Sequence, residues 1–244
     1  MASLLNLSGS ALLNTAAVEE YLTFDILGNG SVGWKASNSS NTRTIQYRKN
    51  GGSWNNITST TSGATISVVN GDKIEFKADN TSIGSSSYYN YFTATANFKV
   101  SGYLTSILDA DGYKEYSTYG ADNMFRYLFY NNTYLTDASG LVLPSTTRNG
   151  CYSRMFQGCT SLKTAPDLLA SNIATYAYYH LFDGCGSLNY VKCLATSGIN
   201  TSSSTTSWLN GVASSGTFVK ASASSWPSST SGIPSGWTVQ TAES

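Results

Sequence analysis

Few side chains in this chain are suited to chemistry, and their spacing does not organise them for it. His180 is the only histidine. No Ser or Cys nucleophile comes with a recognisable His and acid frame around it. The cysteines fall as Cys151/Cys159 and Cys185/Cys193, with no Cys-x-x-Cys, so zinc spacing is not met. Asp109-Ala-Asp111-Gly112 begins like a calcium loop but lacks the later acidic ligands, so a polar turn is expected. Phosphate-loop and dinucleotide fingerprints are missing. A glycosidase needs two carboxylates on opposed walls, and nothing in the sequence pairs the 14 acidic residues. The sequence therefore assigns no catalytic residue, no metal ligand and no cofactor, and reads as a non-enzyme.

The remaining recognition chemistry is aromatic. The chain has 17 Tyr residues among abundant Ser, Thr, Asn and Gly. Tyrosine gives rigid amphipathic contacts, and the small polar residues give adaptable hydrogen bonds. Ser85-Ser-Ser-Tyr88-Tyr89-Asn90-Tyr91 is one candidate contact loop, although at least one of its rings is expected to pack inward. Tyr152, Tyr178 and Tyr179 are further ligand-binding candidates. Net charge is zero and 11% of residues are charged, which argues against electrostatic binding of nucleic acid or an anionic membrane. No apolar run approaches the roughly 20 residues that a helical membrane span needs.

These tyrosines must be positioned by a repeat. Phe125-Arg-Tyr-Leu-Phe129, Cys151-Tyr-Ser-Arg-Met155-Phe156 and Ala177-Tyr-Tyr-His-Leu181-Phe182 each lead to Asn or Gly, then Leu, then a small apolar residue. Phe129, Phe156 and Phe182 lie 27 and 26 residues apart, as do Leu135, Leu162 and Leu188. A degraded copy follows at Trp208-Leu209-Asn210-Gly211-Val212, with an insertion before Phe218-Val-Lys-Ala221. A period in the twenties with Leu-x-x-apolar spacing points to a leucine-rich-repeat solenoid, whose units bury their apolar faces only by stacking. Leu135, Ala138, Leu141, Leu162, Ala165, Leu168, Leu188, Val191 and Leu194 are expected to point inward. Cys159 and Cys185 should form a ladder, and Gly158 and Gly184 should allow a positive φ. The Tyr-x-x-Met-Phe stretch predicts a short helical piece. His180 shares its repeat position with Tyr127 and Arg154 and should face solvent.

The rest of the chain divides around that array. Residues 1–20 form a separate segment: a docking peptide, a short helix, a strand given to a partner, or a loose terminus. It lacks the basic start and unbroken apolar stretch of a secretory signal; with Met1 as the natural start, general export is not expected. Residues 21–103 read as a β-sandwich of immunoglobulin-like size. Gly28-Asn29-Gly30, Asn50-Gly51-Gly52 and Asn70-Gly71-Asp72 mark hairpins between successive strands. Residues 104–124 are a junction in which Tyr113, Tyr116 and Tyr119 cap the first coil or line its rim. Residues 125–221 are the solenoid and 222–244 its cap. There, Trp226 and Trp237 either cover the last coil or form a sugar-binding shelf. The expected fold is mixed and β-rich: an N-terminal sandwich, a short solenoid and a C-terminal cap.

Met155-Phe-Gln-Gly-Cys-Thr-Ser-Leu162 and Leu181-Phe-Asp-Gly-Cys-Gly-Ser-Leu188 resemble the BspA-type leucine-rich repeats of bacterial surface proteins. The ending, Gly216-Thr-Phe-Val-Lys220 and Ser231-Gly-Ile-Pro-Ser-Gly-Trp237-Thr-Val239, resembles the closure in relatives from gut Bacteroidetes and their phages. The resemblance implies non-catalytic adhesion to a cell-surface glycan or protein. The array is shorter than in typical surface adhesins, and no export signal is recognised. The first expectation is therefore a phage virion appendage, a fibre or a tail or head decoration, on the virion surface. It would be homo-oligomeric and docked to other virion proteins through residues 1–20. A secreted adhesin at the bacterial cell surface is the alternative, and an accessory module of a carbohydrate-active enzyme is a third reading. No nucleic acid and no membrane insertion are expected.

Overall fold

The computed structural model describes residues 21–115, 121–201 and 203–243. The expectations for residues 1–20, Tyr116 and Tyr119 lie outside them. The described chain is β-rich, with three open sheets. The first eight strands are β1 (Leu22–Ile26), β2 (Gly30–Ala36), β3 (Thr44–Lys49), β4 (Asn55–Thr58), β5 (Ala64–Val68), β6 (Lys73–Lys77), β7 (Asn90–Ala94) and β8 (Phe98–Tyr103). After them come β9 (Leu135–Val142), β10 (Tyr190–Cys193), β11 (Gly216–Lys220) and β12 (Trp237–Thr241).

Two sheets face each other in the first half. One has the order β4-β3-β6-β1-β8-β9 and the other β5-β2-β7. Their inner faces meet in an aromatic core, where Phe92 of β7 lies 4.9 Å from both Phe24 and Phe76. Of the three expected hairpins, only the one at Asn50-Gly51 forms, joining β3 to β4. The turns after β1 and β5 instead carry the chain from one sheet to the other, because β2 pairs with β5 and β7 while β1 pairs with β6 and β8. The two crossing turns are tied together: the amide of Gly71 donates to Ile26 O and that of Asn70 to Asn29 Oδ1. Glycine and asparagine supply the bend in either arrangement, so their presence does not choose the partner.

The second half is a stack of coils. β9 continues the first sheet by parallel pairing with β8, so the boundary near residues 104–124 is crossed by a continuous sheet. β10, β11 and β12 form a separate parallel sheet. The coil between β9 and β10 contributes only isolated bridges, Thr164↔Tyr190, Leu168↔Cys193 and Asn172↔Ser197. Pro166 lies between the first two and has no N–H to donate. Of the nine apolar residues expected inside, eight are buried; Leu194 is half-buried.

The expected helical piece does not form. From Asn123 onward the backbone runs as overlapping tight turns in units of four. Every fourth residue adopts positive φ: Asn123, Tyr127 and Asn131, then Gly150, Arg154 and Gly158, then Tyr176, His180 and Gly184, then Ser203, Ser207 and Gly211. The next two side chains point inward and the fourth outward, as in Leu128, Phe129 and Tyr130 after Tyr127. The amides then alternate. Met155 donates back to Tyr152 O within its turn, while Phe156 donates to Leu181 O and Arg154 to Tyr179 O in the next coil. The same alternation links Phe125–Asn131 to the coil below, and Tyr178–Gly184 to the one after, at 2.8–3.1 Å. An α-helix would spend all these donors inside its own segment.

Inward residues stack in columns. Phe129, Phe156 and Phe182 are 5.4 Å apart in succession, with planes within 6° and 12°. Phe125, Tyr152, Tyr178 and Trp208 form a second column. Cys159 and Cys185 each donate Sγ–H to the carbonyl of the Phe one coil back, Phe129 and Phe156, at 3.0 Å. Both ends of the stack are covered. Phe92 lies 5.7 Å from Phe129, and its amide donates to Leu128 O. At the other end Trp226 stacks on Trp208 at 5.0 Å and 14°, while Trp237 is buried with its indole N–H on Ala213 O. The two tryptophans thus face the core and offer no open sugar shelf. Tyr113 packs on Tyr21 and Tyr103, away from the coil rim.

Phe156 is fully buried between two rings. Phe156→Ala is expected to cost about 3–5 kcal/mol in urea denaturation, whereas Leu169→Ala, at 46% exposure, should change stability little. Gly198→Ala should be the costlier of two glycine changes. Both Gly198 and Gly184 have positive φ, but a Cβ on Gly198 would run into the carbonyl oxygen of Ile173, while one on Gly184 meets nothing closer than 3.7 Å. Gly184→Ala should lose only the left-handed penalty of about 1–2 kcal/mol.

Candidate functional site

The outer face of the coils is built by the residues that the four-residue unit sends outward, together with the positive-φ residues beside them. Along it rings and guanidiniums form a continuous chain of contacts. Tyr91 lies 5.5 Å from Tyr89, and Tyr89 stacks on Tyr127 at 4.2 Å and 29°. Arg126 and Arg154 both lie against Tyr127, at 4.9 and 5.8 Å. Arg154 also lies 5.1 Å from Tyr179, which contacts Tyr176 and His180. The strip runs from the edge strand β7 and its preceding loop onto the coils, so both halves contribute. Arg126 fixes the junction by donating to Ser86 O at 2.6 Å.

Three of the six candidate tyrosines belong to this strip: Tyr89, Tyr91 and Tyr179. Tyr88 is engaged elsewhere, with Arg43 donating to its hydroxyl and lying 5.2 Å from its ring. Tyr152 and Tyr178 are 1% exposed and cannot serve as surface contacts. They follow positive-φ residues by two positions, which places them in the inward column with Phe125 and Trp208. The strip residues that sequence reasoning missed are Tyr127, Arg126, Arg154 and Tyr176. For Tyr127 and Arg154 the signal was available in the repeat position they share with His180, outside the apolar frame.

Beside the rings runs a polar column. Asp183 accepts from Gln157 at 2.8 Å, from Asn210 at 2.8 Å and pairs with His180 Nδ1 at 2.7 Å. Arg154 in turn donates to Gln157 Oε1 at 2.9 Å. Burial opposes ionisation of Asp183, but the hydrogen bonds from Asn210, His180 and Gln157 outweigh it and hold the carboxyl below the usual 3.8. His180 is therefore half-buried and partnered, not simply facing solvent. Burial, and then the neighbouring Tyr127, Tyr91 and Tyr130, push the Tyr89 phenol above its ordinary value, so it stays a hydroxyl donor at physiological pH.

Nucleophilic chemistry finds little support in these groups. All four thiols are free and buried, and burial pushes Cys151 and Cys193 up to about 12. A thiol so raised is not a thiolate at neutral pH. Among the described residues no three His, Cys, Asp or Glu side chains are grouped to hold a metal ion. Asp109 Oδ1 accepts from the amides of Asp111 and Gly112, which is the geometry of a polar turn. Among the described residues no helix is long and apolar enough to cross a membrane. The chain matches no protein-family model, no curated protein and no solved structure.

The lowered carboxyl fixes the sign of a pH effect. Asp183 contributes stability above the ordinary aspartate value, and that contribution is lost as pH falls through its lower folded value. Asp183→Asn should therefore lower the thermal midpoint at pH 7 by the equivalent of about 1 kcal/mol. The gap between variant and wild type should narrow as pH falls below the ordinary aspartate value of 3.8.

Proposed function

We propose that this chain is a non-catalytic adhesion or receptor-binding protein. In this reading its stacked coils are BspA-like leucine-rich repeats, and its facing sheets are an immunoglobulin-like sandwich. The observation that carries the reading is the unbroken strip from Tyr91 and Tyr89 through Tyr127 and the two arginines to Tyr179. Such a strip offers pre-set aromatic faces and guanidinium donors on a rigid scaffold, which lowers the ordering cost of binding. It fits a cell-surface glycan or protein.

The favoured setting is a virion appendage of a Bacteroidetes phage, a fibre or a tail or head decoration, present in several copies on the particle. Several weak contacts then add through avidity. A secreted adhesin at the bacterial surface would use the same strip by the same mechanism, and capsid or tail genes beside this one would favour the virion. A carbohydrate-active enzyme module is the third setting, and a polysaccharide-utilisation cluster beside the gene would favour it. Docking through residues 1–20 remains part of the virion proposal.

Binding to a panel of fixed gut Bacteroidetes strains, with Tyr89→Ala and Tyr179→Ala variants alongside, tests the surface. Each truncation should weaken cell binding about tenfold while leaving the thermal midpoint within a few degrees. Unchanged binding in both variants would remove this strip as the contact surface. Turnover on any sugar polymer would remove the non-catalytic reading.

A further inference from the structure

Within the strip, three successive coils frame a pocket of about 330 Å³ lined by Asn123, Arg126, Ser153, Arg154, Tyr176 and Tyr179. Two of its six lining residues are cationic and none is acidic. That imbalance is local, because the whole chain carries no net charge. Elsewhere Arg48, Lys49, Lys99, Arg148 and Lys192 each have a carboxylate of their own. Arg126 and Arg154 form no ion pair among the described residues. Each instead gives one N–H to a neutral acceptor, Ser86 O and Gln157 Oε1. A guanidinium has five N–H donors, so each is held in place with donors to spare.

The surroundings fix the guanidiniums without neutralising them. Arg126 lies on Tyr127, and Arg154 lies between Tyr127 and Tyr179. Stacking of this kind sets the plane of the fork that matches a carboxylate. Two acids near the pocket in sequence are already engaged: Asp183 with Gln157, His180 and Asn210, and Asp122 with Arg148. Tyr176 is 45% exposed and presents an open ring at the rim. Asn123 and Ser153 add neutral hydrogen-bonding groups. The volume lies at the small end of ligand pockets and suits one sugar unit of a longer chain.

We propose that this pocket binds the carboxylate of an acidic saccharide, a hexuronate residue. Its acid group meets Arg126 and Arg154, its hydroxyls meet Asn123 and Ser153, and its C–H face lies on Tyr176. The assignment rests on the adhesion reading above and names the ligand class for it.

The test is calorimetric titration of the full chain with oligosaccharides of galacturonate, glucuronate and mannuronate, each beside its carboxyl-reduced neutral counterpart. Cell binding is measured in parallel. At least one acidic oligosaccharide should bind about tenfold or more tightly than its reduced counterpart. Its affinity should fall as NaCl rises from about 50 to 500 mM. Arg154→Gln and Arg126→Gln should each weaken it about tenfold, and Arg154→Lys, which keeps the charge, should weaken it less. Equal binding of acidic and reduced forms would overturn the assignment, as would no binding of any acidic form. So would arginine variants that bind as wild type at an unchanged thermal midpoint. Retained cell binding with any of these outcomes would leave adhesion standing without its proposed ligand class. Preferential binding of an oligoglutamate peptide would also overturn the assignment, in favour of an acidic protein partner.

Discussion

The structure depends on the amide donors that each coil gives to the next. In the first three turn segments, alternate N–H groups close tight turns, and the rest reach carbonyls one coil on. That division is possible only because every fourth residue takes positive φ. Eight of the twelve such residues between Asn123 and Gly211 are not glycine. Each costs about 1–2 kcal/mol of backbone strain. The strain is offset by the columns it makes possible, in which Phe129, Phe156 and Phe182 sit in register with nearly parallel rings. A single coil has neither partner carbonyls nor neighbouring rings, so the units hold together or not at all.

Such a stack has two open ends, and this chain closes them differently. The facing sheets act as the first cap. β7 presents Phe92 to the first coil, and β8 extends its sheet into β9. The last coil is closed by a loop whose Gly232 carbonyl accepts the Trp208 indole N–H. Ser231 serves the same coil, accepting from Thr205 Oγ1 through its carbonyl and from the Ser207 amide through its hydroxyl. The same arrangement makes the outer strip possible, because Tyr89 precedes β7 and Tyr127 lies on the first coil.

The period and eight of the nine inward apolar residues were legible from residue spacing, because burial every 26 or 27 residues leaves a direct mark in the sequence. The turn segments were not. Two inward residues in every four, such as Met124-Phe125 and Leu128-Phe129, closely imitate the apolar stripe of a helix. The left-handed residues that exclude a helix are Tyr127, Arg154 and His180, types that do not announce positive φ. That error carried Tyr152 and Tyr178 to the wrong side of the backbone. Sheet pairing in the first half failed for another reason: Asn-Gly turns serve a hairpin and a crossing between sheets equally well, and only the aromatic core around Phe24, Phe76 and Phe92 selects between them. Arginine on tyrosine across adjacent coils depends on this same register and has no local signature.

The central claim is that turn-segment amides pair between coils and not within a helix. The most direct measurement is the through-hydrogen-bond scalar coupling between amide nitrogen and carbonyl carbon in isotope-labelled protein. Coupling from Phe156 N to Leu181 C′, and from Arg154 N to Tyr179 C′, is expected. Coupling from Phe156 N to the carbonyl of Tyr152, four residues back, would contradict the account.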